Sequence, residues 1–164
     1  MSDILLEVER LRKYFPVKRS GGTSYIHAVE DVSLFIRKGE TLGLVGESGC
    51  GKSTLGRTIL RLHEPTSGKI IYDGKPFYDS EAGLAEKTKP YRRKMQIIFQ
   101  DPSASLNPRM TAENIIGEAL DIHKMTYSRK ERHERVVELL RRVGLNEEQG
   151  DRYPHEFSGG QQQR

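Results

Sequence analysis

The run Gly46-Glu47-Ser48-Gly49-Cys50-Gly51-Lys52-Ser53-Thr54 constrains this chain more than any other feature. It satisfies the spacing G-x-x-x-x-G-K-[ST]. The nearly all-apolar stretch Thr41-Leu42-Gly43-Leu44-Val45 precedes it and a helical pattern follows. A polyphosphate gives up its water only to many donors converging on a small volume. Glycines let backbone N–H groups turn inward, and the start of the following helix adds its dipole. Lys52 offers a point charge to the outer phosphates, and Ser53 offers a hydroxyl to a metal ion. A buried strand, a glycine loop and a helix in succession imply an α/β fold on a parallel sheet.

The rest of the chain fits around that unit. Ile4–Leu11 partly alternates and predicts a strand, as does Val29–Ile36, with Val32, Leu34 and Ile36 on one face. Between them the polar segment from Lys18 to Ser24, with Gly21-Gly22, predicts a hairpin tip. Leu55, Ile59 and Leu62 predict a helix from Lys52 to Leu62, stopped before Pro65. Lys69–Tyr72 predicts a strand entering the tight turn Asp73-Gly74. Residues 79–94 read as mixed helix and loop, and Met95–Phe99 as a buried strand closed by Gln100-Asp101-Pro102. Two amphipathic helices follow. The first spans Ala112–Lys124 with Ile115, Ala119 and Ile122 in register. The second opens with the capping box Ser128-Arg129-Lys130-Glu131, carries Val136, Leu140 and Val143, and ends at Gly144.

Composition narrows the function classes. The 164 residues suit one ordinary domain, and 35% hydrophobic residues make a lean core. A net charge of +4 permits an anionic partner without naming one. A single cysteine excludes a disulfide framework within the chain and suits a reducing compartment. No apolar stretch approaches the roughly 18 residues of a membrane helix, and Asp3 and Glu7 argue against a signal peptide. Cys50 has no Cys or His at ligand spacing, so it reads as a small loop residue. The basic run Lys87, Lys89, Arg92, Arg93, Lys94 reads first as a solvated face and second as a nucleic-acid contact.

A phosphate loop alone leaves GTPases, kinases, helicases and transporter ATPases open. The discriminating segment is Phe157-Ser158-Gly159-Gly160-Gln161-Gln162-Gln163-Arg164. A hydroxyl and two glycines at a helix start make a second anion-binding device. Its simplest use is to grip a phosphate held by another chain across a two-fold interface.

On these residues the chain resembles the ABC-transporter ATPases over essentially its whole length. Ser158-Gly159-Gly160-Gln161 is similar to that family's signature motif, with Phe157 where Leu is commoner. Gln100, followed by Asp101-Pro102, resembles the Q-loop, and Phe15 or Tyr14 the aromatic on which adenine stacks, with Phe15 favoured. Within the family the segments Leu44–Arg57 and Phe99–Thr111 are most similar to ATPase subunits of oligopeptide or dipeptide importers, the F-type subunit in particular. Nickel and other small-solute importers are the alternative, a nucleic-acid ATPase a more distant one.

The resemblance implies a P-loop ATPase N-terminal part: an antiparallel β subdomain, an incomplete parallel core sheet and a helical subdomain, divided at 1–100 and 101–164. It implies ATP and Mg²⁺ as ligands. The nucleotide would be held by the aromatic, by Gly46 through Thr54, and across an interface by Ser158, Gly159, Gly160 and Gln161. Lys52 and Gln100 take catalytic roles, and Ser53 with Gln100 holds the metal. The implied partners are a second ATPase subunit, transmembrane permease subunits and, indirectly, an extracytoplasmic solute-binding protein, at the cytoplasmic face of the membrane; no nucleic acid is expected. The family's Walker B Asp-Glu and switch His have no counterpart by Arg164, so this fragment is expected to bind ATP without turning it over. His155 precedes the signature and is expected to be a turn or surface residue.

Overall fold

The computed structural model describes residues 3–19 and 22–164. The chain forms two compact units, Met1–Gln96 and Ile97–Arg164.

The first unit is built on a five-stranded antiparallel sheet in the order β2-β1-β3-β4-β5. β1 (Ile4–Arg19) and β2 (Gly22–Arg37) form a hairpin of two 16-residue strands, reaching much further toward their shared tip than the alternation predicts. Register holds out to Arg19 opposite Gly22, while Gly21 at the expected tip lies outside the described residues. The pairing slips between Val8 and Leu11, where Arg10 takes φ 45° and its N–H donates to Ser33 Oγ at 2.8 Å. That bulge resets the alternation, so Leu6, Val8 and Leu11 all face the core. β3 (Ser67–Tyr72) and β4 (Lys75–Asp79) join through Asp73 and Gly74, both at positive φ (49° and 74°), as a two-residue Asp-Gly hairpin requires. β5 (Leu84–Ala85) completes the sheet inside the segment read as helix and loop.

α1 (Lys52–Ile59) lays Leu55 on this sheet, against a core of Leu6, Val8, Leu11, Val29, Ile70 and Phe77. Val32, Leu34, Ile36 and Ile59 pack at its margin, as their spacing predicts. The helix stops short of Leu62, which is exposed. Arg61 ends it at φ 50° and turns its buried guanidinium onto the carbonyls of Phe77 and Glu86.

Two expected strands are not formed. Thr41–Val45 and Met95–Phe99 lie outside any ladder, with Val45 96% and Ile98 83% exposed. Their apolar runs suit a parallel sheet buried on both faces, but a strand exists only with a neighbour to bond. Among the described residues neither segment pairs in a ladder, and every strand pair is antiparallel.

The second unit is helical. After the short α2 (Pro102–Ser105), α3 (Ala112–Ile122) and α4 (Arg129–Arg142) pack through Leu120, Val136 and Leu140, with Ile116 and Leu145 beside them. The face expected of α3 is wrong by about one residue: Ala119 and Ile122 are exposed, while Ile116 and Leu120 turn inward. Ile115, Ile116 and Ile122 give two competing apolar stripes, and the position of α4 selects between them. On α4, Val136 and Leu140 are buried as expected and Val143 is not. Ser128 caps α4 by accepting from Glu131 N–H, but the Glu131 carboxylate reaches back to Tyr127 N–H instead of Ser128, so the expected box is half formed. Gly144 ends the helix at φ 73°. The 3₁₀ turns Glu147–Asp151 and Pro154–Glu156 lead into α5 (Gly159–Gln163).

Candidate nucleotide-binding site

Residues 46–51 form an exposed loop that ends in α1. Gly49 and Gly51 have φ of 83° and 97°, which turns successive N–H groups to one side. Gly51 is the residue before α1, and a Cβ there would stand 2.2 Å from the Ala28 carbonyl oxygen on β2. The Lys52 ammonium folds back over the loop, donating to Gly46 O at 2.7 Å and Glu47 O at 2.6 Å, with Cys50 Sγ 3.6 Å away. Ser53 is exposed at the first turn of α1. Thr54 lends its carbonyl to Thr58 Oγ1 at 2.7 Å, a bond within α1 itself. Glu47 and Ser48 are exposed on the loop's rim. Backbone donors, a cation and a helix start therefore lie together in one short exposed loop.

The two candidate aromatics sit in different surroundings. Tyr14 pairs with His27 across the hairpin, stacks on its ring at 4.0 Å, and donates to Glu30 Oε1 at 2.7 Å. That hydrogen bond holds the Tyr14 hydroxyl above its ordinary pKa and, with His27, holds Glu30 below the usual carboxylate range. Phe15 meets the edge of His63 at 5.3 Å, with Lys13 Nζ 4.7 Å from its centroid. His63 lies just beyond α1. Sequence spacing gave no sign of His27, Glu30, His63 or Lys13, because hairpin register and the end of α1 bring them in.

In the helical unit Gln100 is exposed, and Asp101 caps α2 by accepting from Ala104 N–H at 3.2 Å. Ser158 caps α5. Its hydroxyl accepts from Gln161 N–H, while Gln161 Oε1 accepts from Ser158 N–H at 3.0 Å, a complete capping box. Gln162 Nε2 donates to Pro154 O and Phe157 O, pinning α5 to the preceding turn. A Cβ on Gly159 or Gly160 would meet nothing within 4 Å among the described residues. His155 is exposed in the turn before the signature and stacks on Tyr153, as a turn residue would.

A glycine-rich loop feeding a helix beside an antiparallel sheet, together with a helical unit that ends in a Ser-Gly-Gly corner, defines a phosphate-loop protein of the ATP-binding-cassette class. Residues 29–164 match the family described as ABC transporter, and the chain belongs to it. It is 56% identical, over its full length, to an oligopeptide transport ATP-binding protein, OppF, of Bacillus subtilis, and covers 52% of that protein. It is 47% identical to the dipeptide transport ATP-binding protein DppF of Haemophilus influenzae, with 98% of the chain matching 48% of that protein. The chain thus spans about half the length of these curated relatives. Among solved structures it is similar to the ATP-binding cassette MJ0796, a dimer bound to ADP and Pi. The TM-score is 0.76 at 28% identity, covering 96% of this chain and 65% of that one.

Proposed function

We propose that this chain is the nucleotide-holding part of an ABC ATPase subunit that drives import of oligopeptides or dipeptides. The loop Gly46–Thr54 carries the reading, through its two positive-φ glycines, its folded-back ammonium and its position at the start of α1. This donor set fits a triphosphate. Each hydrogen bond to a charged oxygen contributes about 1.5–3 kcal/mol, so the loop dominates affinity. Lys52 exchanges the loop carbonyls for the outer phosphate oxygens. Ser53 would hold Mg²⁺, which when bound offsets part of the phosphate charge.

Phe15 serves as the adenine platform in this reading, since Tyr14 is already committed to His27 and Glu30. Stacking adds about 1–3 kcal/mol with little choice of base. Ser158, Gly159 and Gly160 face the triphosphate of a second subunit. That Gly159 and Gly160 answer no packing need among the described residues supports a close approach from outside. Beside Gln100, Phe99, Leu106, Ile115 and Phe157 line an apolar hollow of about 310 Å³, suited to a permease segment. Within the basic run Arg92 spends its guanidinium on the carbonyls of Leu60 and Arg61 at the end of α1, a structural use that weakens the nucleic-acid reading.

Calorimetry with MgATP tests the central claim. Saturable binding that falls at least tenfold in Lys52→Ala is expected; equal affinity in the variant would overturn the assignment. Uptake of labelled dipeptide against nickel, by the full-length subunit with its permease, separates the two importer readings.

A further inference from the structure

One imidazole ties together three elements of the helical unit. His133, on α4, places Nδ1 3.2 Å from Glu113 Oε1 on α3 and Nε2 3.4 Å from Glu147 Oε1 on the 3₁₀ turn Glu147–Asp151. An ionised carboxylate only accepts. For both contacts to be hydrogen bonds both ring nitrogens must donate, and only the imidazolium carries two N–H groups. The hydrogen bonds to Glu113 and then Glu147 accordingly hold the ring's pKa above its ordinary value.

The surrounding charge balance points the same way. α3 presents Glu113 and Asp121, and the turn presents Glu147, Glu148 and Asp151. On α4, Arg132 reaches Asp121 at 3.0 Å and Glu113 at 3.9 Å, and Arg141 reaches Glu147 at 3.2 Å. Two guanidiniums face this acidic rim, and His133 is the third cation. The turn itself packs tightly: a Cβ on Gly150 would stand 3.4 Å from Leu140 Cδ1 and 3.7 Å from Glu113 Cβ. From the turn the chain runs directly through Pro154–Glu156 to Ser158.

We propose that His133 is a proton-operated clamp: as imidazolium it tightens the turn Glu147–Asp151 against α3 and α4, and on losing its proton it loosens the turn and the path to Ser158, leaving the Arg141–Glu147 pair and the Gly150 packing in place. The clamp goes beyond the nucleotide reading and does not depend on it. Because the folded-state pKa is raised above 6.5, the stabilisation is complete below about 6.5 and is lost as pH rises through the higher folded value.

NMR of the ¹⁵N-labelled full chain tests this directly, with the His133 ring nitrogens assigned by their loss in His133→Gln and followed from about pH 5.5 to about 9. Expected are two protonated nitrogens and a titration midpoint above the ordinary histidine value, falling in Glu147→Gln. Amide exchange of residues 147–158, corrected for intrinsic rates, should quicken several-fold across that midpoint, but not in His133→Lys, which stays charged. A neutral single tautomer near pH 6.5, or exchange indifferent to the midpoint, would overturn the clamp even if the substituted chains fail to fold. ATP affinity measured alongside reports on the phosphate loop separately.

Discussion

Glycines at 51 and 159 look alike in sequence and differ in what they do. Gly51 needs positive φ, and its missing side chain makes room for the Ala28 carbonyl, a backbone atom that cannot swing aside. Gly51→Ala should therefore cost at least about 1–2 kcal/mol from the left-handed conformation alone. The displaced loop should also weaken ATP binding more than tenfold, as thermal unfolding and calorimetry would show. Gly159→Ala meets open space, so it should leave stability within about 0.5 kcal/mol and ATP affinity intact. Its deficit should emerge only in nucleotide-dependent dimerisation of the full-length subunit, by sedimentation. If Gly159→Ala instead unfolds the chain, the corner is structural and the two-grip reading fails.

Caps and turns are the elements that chemistry writes locally, and they were the most legible. Ser128, Gly144, Ser158 and the Asp73-Gly74 turn all act where their residue types place them. Ser128→Ala should destabilise α4 by about 1 kcal/mol, read as a lower unfolding midpoint of the helical unit. The remaining half of the box, Glu131 to Tyr127, should keep the helix start in place. Elements that depend on distant neighbours were read less well. The inward face of α3 is chosen by α4, not by its own spacing. The apolar runs at 41–45 and 95–99 carry a strand's composition, yet a ladder needs a second backbone. The phosphate-loop motif was legible because its glycines, lysine and hydroxyl stand within one run, Gly46–Thr54. His133 could not, since Glu113 and Glu147 reach it from 20 residues upstream and 14 downstream.

At the scale of the whole chain, two cores are built from separate stretches of sequence: Leu6 to Phe77 under the sheet, and Leu120, Val136 and Leu140 among the helices. Leu140 is 1% exposed, and Leu140→Ala should cost about 2–5 kcal/mol. That loss belongs to the helical unit, so MgATP affinity at the loop should stay unchanged while the helical circular dichroism melts earlier. Equal loss of both signals would show the two units unfolding as one. The exposed apolar side chains of Thr41–Val45 and Met95–Phe99 have a colloidal consequence. Rich in Ile, Leu and Val and short of charge, they are adhesive to their own kind. In concentrated solution these two greasy ribbons should work against the solubility that the surplus of lysine and arginine confers.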